Sequence, residues 1–143
     1  MVMTEYEKKA NPDKSYRKKS QLKYVKMKVV SSMEEENVLS QVEANIDKNA
    51  VCKTDGFPSY NKIRNLVKKH DKQIVKPQEA SKKLPWVHTM IANAKRKFLG
   101  IHHSMSREYL QYYLDEFCYK VNRRYFNNPL ERLLNIAAIY QWE

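Results

Sequence analysis

The spacing of hydrophobic positions changes several times along the chain, and each change marks an element. From Leu22 to Val30 the residues alternate, with Lys23, Val25, Met27 and Val29 on one face and Leu22, Tyr24, Lys26 and Lys28 on the other. A period of two predicts a strand, buried more on the first face. Ser32 followed by Glu35 has capping-box spacing, and Glu34, Glu35 and Glu36 favour the positive end of a helix. Val38, Leu39, Val42 and Ile46 supply that helix with an apolar stripe, and Asn49 marks its turn. Ala50 to Thr54 reads as a short buried strand ended by Asp55-Gly56. Tyr60, Ile63, Leu66 and Val67 form another helical stripe, which Lys68, Lys69 and His70 close at its negative end. A short strand over Gln73 to Val75 and a loop bracketed by Pro77 and Pro85 follow.

From Trp86 onward the pattern is helical. One helix runs to about Leu99 and stops at Gly100. A second is capped by Ser104 or Ser106 and buries Leu110, Leu114, Phe117 and Val121. A third opens with Asn128 as cap, Pro129 at the first helical position and Glu131 at the third, and carries Leu130, Leu133, Leu134, Ala137 and Tyr140. The predicted order is β-α-β-α-(β)-α-α-α, an α/β chain with a helical C-terminal segment and no internal repeat. Residues 1–20 are polar, with Lys8, Lys9, Lys14, Arg17, Lys18 and Lys19, and read as a flexible basic arm. The rest, 21–143, reads as one domain at most.

Composition narrows the partners. The chain has 143 residues, with 27 Lys plus Arg against 16 Asp plus Glu, a net charge of +11. Such an excess favours a polyanion, nucleic acid before membrane. No apolar run approaches the roughly 20 residues that a bilayer requires, and the charged N-terminus has no leader pattern. Cys52 and Cys118, without a CxxC pair, read as reduced thiols of a cytoplasmic protein. Two glycines in the whole chain exclude a glycine-rich phosphate loop.

Few residues carry candidate chemistry. Asp55 at a strand end, before a glycine, suits a hard divalent cation; the same dipeptide also suits an ordinary turn. His88 and Lys95 are seven residues apart on a predicted helix, close to two turns, so they share a face. The imidazole can ligand a metal or move a proton, and otherwise packs or faces solvent like most histidines. Lys95, with Arg96 and Lys97, fits a clamp on DNA phosphate or a solvated face. His102 and His103 sit in a turn and suit packing or phosphate contact better than zinc. Tyr109, Tyr112, Tyr113, Phe117 and Tyr119 are mostly core aromatics, with base stacking as the second reading. Arg123 and Arg124 end their helix where the dipole favours cations, and also suit DNA contact.

Three motifs carry a family resemblance: TDGFPSY at 54–60, LPWVHTMIANAKRKFLGIHH at 84–103, and YLDEFCYKVNRR at 113–124 with ERLL at 131–134. Over about Gln21 to Ala138 the chain resembles bacterial insertion-sequence transposases of the DDE superfamily, nearest the ISXO-like branch. The resemblance implies a ribonuclease-H-like fold, a mixed sheet flanked by helices, entered here from its third strand onward and lacking its first strands. It implies Asp55 as the second catalytic aspartate, and His88 where most members carry the third acidic residue. Lys95 then positions the DNA end, with Arg96, Lys97, Arg123 and Arg124 as further DNA contacts. Mg²⁺ or Mn²⁺ held by Asp55 and His88 is the implied cofactor. The implied partners are terminal inverted repeats, target DNA, and a second copy or a complementing transposase half. The family's first aspartate lies on the first core strand; before Leu22 the chain offers only Asp13, in NPDKSYRKK, outside any predicted strand. The resemblance therefore implies the C-terminal part of a catalytic domain, truncated or split. Its function would be transposition by metal-dependent phosphodiester cleavage and strand transfer; the alternative is a non-catalytic DNA-binding regulator of transposition.

Overall fold

A bulge decides which side of the first hairpin lies inside. In the computed structural model, which describes residues 1–8, 20–74, 80–101 and 105–139, β1 (Val2–Lys8) pairs antiparallel with β2 (Ser20–Met27). Thr4 lies opposite Val25 and Tyr6 opposite Leu22, so Glu5 of β1 faces both Lys23 and Tyr24 of β2. The extra residue flips the alternation of β2 partway along. Leu22, Val25 and Met27 are buried, whereas Lys23 is half-buried and Val29 lies beyond the strand, exposed. This corrects the face assigned from strict alternation. It also corrects the flexible arm over residues 1–8: with Val2 and Met3 paired to Met27 and Lys26, this polar segment gains a ladder partner that its composition did not announce. Asp13 and most of the basic residues of the arm lie outside the described residues.

The chain divides into two compact units, Met1 with Lys28–His103, and Val2–Met27 with Ser104–Glu143. The first unit is built on α1 (Glu35–Asn45), β3 (Val51–Asp55), a 3-10 helix (Pro58–Asn65) and β4 (Lys69–Gln73). Val38 and Val42 of α1 pack with Ile63 and Val67 in one cluster, covered by Leu39, Ile46, Cys52, Tyr60 and Leu66. The predicted stripes are therefore the core, although the second lies on a 3-10 helix and its short continuation. Ser32 is not the α1 cap: the cap residue is Glu34, and Ser32 Oγ accepts from Asn37 Nδ2 (2.8 Å). Lys69 and His70, read as the end of a helix, begin β4 instead.

β3 and β4 run parallel, Val51 opposite Lys69 through Asp55 opposite Gln73. Only one face of this pair is covered, by the α1 cluster through Cys52; Val51 on the other face is 60% exposed. β3 is thus half-buried rather than buried. After α2 (Ala80–Lys83), α3 (Pro85–Ile101) runs straight through Gly100, because no glycine takes the positive φ that a glycine stop requires.

The second unit joins the hairpin to α4 (Leu110–Asn122). Phe117 and Cys118 are its buried residues. Asn122 accepts from the Val25 N–H (2.9 Å) and donates to the Val25 carbonyl (2.8 Å), while Gln111 donates to the Met27 carbonyl (3.1 Å). Two side-chain amides thereby satisfy the backbone edge of β2 that faces away from β1. α5 (Pro129–Ile139) starts as predicted, with Asn128 donating to Glu131 (3.0 Å) and taking φ 52°, which asparagine tolerates. No described residue of α5 is buried. The molecule is mixed α/β; among the described residues the strands form two two-stranded sheets rather than one mixed sheet. No described helix is long and apolar enough to cross a membrane.

Candidate functional site

Asp55 occupies the last position of β3, with its side chain exposed on the open face of the strand pair. Alternation puts Lys53 on that face, and register adds Asp71 and Gln73 from β4. Asp71 is engaged there, 3.9 Å from Lys53 Nζ and accepting from Gln73 Nε2 (3.2 Å). Asp55 Oδ1 accepts the Phe57 N–H (3.3 Å), an Asx turn that leaves its second oxygen uncommitted to backbone. The carboxylate is also felt by Tyr60, whose phenol is pushed up first by burial and then by Asp55. Gly56 lies between them: a Cβ added there would meet the Ile74 backbone at 3.4 Å. The turn reading and the ligand reading of Asp55 thus coexist, since the turn uses one oxygen.

On the covered face Thr54 Oγ1 shares a hydrogen bond with His70 Nε2 (2.7 Å). The His70 imidazole is held below its ordinary value by burial, then by the Lys72 ammonium, against an opposing pull from Asp71. This cross-strand pair had no signal in the sequence, where His70 read as a helix-closing residue.

α3 positions His88 and Lys95. Met90, Ala94 and Phe98 form its buried face. At about 100° per residue, His88 and Lys95 fall within about 20° of each other, on a flank roughly 110° from the centre of the buried face. Both are exposed. Arg96 is also exposed but turned aside, its guanidinium donating to Asn93 Oδ1 (2.6 Å). Lys97 lies toward the buried side and is half-buried. The three cations therefore do not make one surface; Lys95 alone shares the His88 face. Arg123 and Arg124 are exposed in a 3-10 turn (Arg123–Tyr125) after α4, in the second unit. His102 and His103 lie outside the described residues.

The donor set for a metal is short. Asp55 and His88 offer a hard oxygen and an imidazole nitrogen, from β3 and α3 of the first unit. Among the described residues no group of three His, Cys, Asp or Glu side chains is placed to hold a metal ion. Sequence reasoning missed the strand-borne carboxylates upstream of Leu22: Glu5 and Glu7 on β1, of which Glu7 pairs with Lys23 (3.0 Å). Their segment carries little signal of its own, because four of the seven residues of VMTEYEK are exposed.

Comparison with curated proteins and with solved structures finds no match. A family model does match, described as the ISXO2-like transposase domain, over residues 2–122. The matched span takes in β1, which lies upstream of the region of resemblance, and ends with α4, so ERLL at 131–134 lies beyond it. It contains Asp55, His88 and Lys95 in order, and it covers most of the chain. This protein therefore belongs to the ISXO2-like transposase family of insertion-sequence DDE transposases.

Proposed function

We propose that this chain serves DNA transposition through a ribonuclease-H-like core in which Asp55 and His88 are two of three metal-binding positions. Lys95 contacts the phosphate of the DNA end, and Arg96, Lys97, Arg123 and Arg124 add DNA contacts. The observation that carries this reading is the family match over residues 2–122. The hairpin preceding α1, the parallel β3–β4 pair and the exposed carboxylate at the end of β3 are consistent with such a core.

When bound, Mg²⁺ or Mn²⁺ would supply Lewis-acid activation for phosphodiester cleavage and strand transfer. Two such ions need several shared carboxylates, and the described residues bring no three donors together. The set as it stands does not fit a two-metal centre. Asp55 and His88 would act with a carboxylate supplied elsewhere, by a second copy or a complementing transposase chain. Alone, the chain binds DNA in the bacterial cytoplasm and regulates or titrates transposition.

The test is a nicking assay on terminal inverted-repeat DNA with Mg²⁺ or Mn²⁺. The expected outcome for the purified chain is a retarded, salt-sensitive complex without strand cleavage. Nicking by the chain alone, abolished by Asp55→Ala, would establish that its acidic set is complete and overturn the regulatory reading.

A further inference from the structure

Phe57 is a large apolar side chain kept in the open beside the candidate carboxylate. The residue is 45% exposed, two positions after Asp55. Three features fix it there. The backbone N–H is tied to Asp55 Oδ1. Pro58 restricts the residue before it to extended backbone, and Phe57 has φ −64° and ψ 134°. The ring meets Tyr60 edge to face, with centroids 6.1 Å apart and planes at 63°. Tyr60 is itself packed against the α1 cluster, so the edge contact has a rigid base. Nearly half of Phe57 remains in contact with solvent. The same 3-10 helix carries Arg64 and Lys62, the latter paired with Glu35 of α1 (3.0 Å), and Lys72 donates to Asn61 Oδ1 (2.7 Å). Between residues 51 and 74 six cations (Lys53, Lys62, Arg64, Lys68, Lys69, Lys72) outnumber two carboxylates, Asp55 and Asp71. An exposed aromatic ring on a segment with an excess of cations suits a nucleobase and its phosphates better than an apolar protein surface.

We propose that Phe57 is a stacking platform that holds an unpaired nucleobase of a DNA strand next to Asp55. The proposal rests on the transposition reading and deepens it, by making Phe57 a positioning residue for the nucleotide beside the phosphate to be engaged. Stacking needs only the π-face of a base, so the platform is tolerant of sequence.

The experiment compares binding of two strands of equal length at low salt by fluorescence anisotropy: an oligothymidylate and an abasic deoxyribose-phosphate strand. They share phosphates and differ only in bases. Wild type is expected to prefer the thymidylate by about tenfold. Phe57→Ala should lose most of that preference while binding the abasic strand as before, and Phe57→Trp should keep it. Tyr112→Ala, at another exposed aromatic (73%), should leave it unchanged. A preference that survives Phe57→Ala, or that falls equally with Tyr112→Ala, overturns the platform. So does a Phe57→Ala variant whose only change is a lower oligomeric state, because the ring would then be covered by a second copy. If wild type binds both strands without preference, this inference alone fails; if it binds neither strand nor duplex, the transposition reading fails with it.

Discussion

His70 makes one contribution to stability that depends on pH. Its imidazole meets Thr54 across the strands, and burial and Lys72 hold it below the ordinary value of 6.5. The unfolded chain therefore takes up a proton near pH 6.5 that the folded chain refuses until lower pH. This contribution to stability is complete above that value and is lost as pH falls through the interval below it. We expect urea midpoints to drop between about pH 7.5 and about pH 5.5, and His70→Gln, which can still bond Thr54, to flatten that drop. An unchanged slope in the variant would assign the acid sensitivity to other groups. At the same scale, Asn122 stands next to Arg123 and Arg124 in the sequence, yet its amide is spent on the Val25 backbone.

Faces are properties of elements, and α3 separates two lysines that the sequence places two apart. Lys95 lies on the exposed side with His88; Lys97 is half-buried toward the side of Met90, Ala94 and Phe98. If Lys95 contacts a DNA phosphate, Lys95→Ala should weaken binding to all sequences and reduce the slope of log affinity against log salt by about 1. Lys97→Ala should change that slope less, and an equal change would mean that the helix presents both cations to DNA. Legibility follows the same logic. α1, α3, α4 and α5 were readable because helical spacing repeats over several turns and survives an error of one residue. β2 was located, and Val25 and Met27 lie inside as expected, but the bulge turns Leu22 inward in place of Lys23. β1 was unreadable because four of its seven residues are exposed and its partner, not its own hydrophobicity, makes it a strand. The stop at Gly100 failed because a glycine ends a helix only when it takes a positive φ. For the site, Asp55, His88 and Lys95 were found through motif order, whereas the Thr54–His70 pair and the open Phe57 ring depend on register and exposure, which no spacing rule reports.

For the whole molecule, strong positive charge and two small sheets act in opposite directions on association. A net charge of +11 keeps copies apart at low salt and draws them to polyanions. Each two-stranded sheet also has backbone edges that another strand can extend. In the hairpin, Gln111 and Asn122 occupy the edge of β2 at Val25 and Met27. Replacing both with alanine should lower stability by roughly 1–3 kcal/mol for each group left without its partner. It should also produce thioflavin-positive aggregates in salt concentrations at which wild type stays clear; a clear double variant would show that the amides do not guard the edge. The two amides thereby give the hairpin the valence of a chain terminator rather than a monomer unit. A unit whose β2 edge is already occupied cannot add a strand there, so growth of the hairpin through β2 is blocked however concentrated the protein becomes.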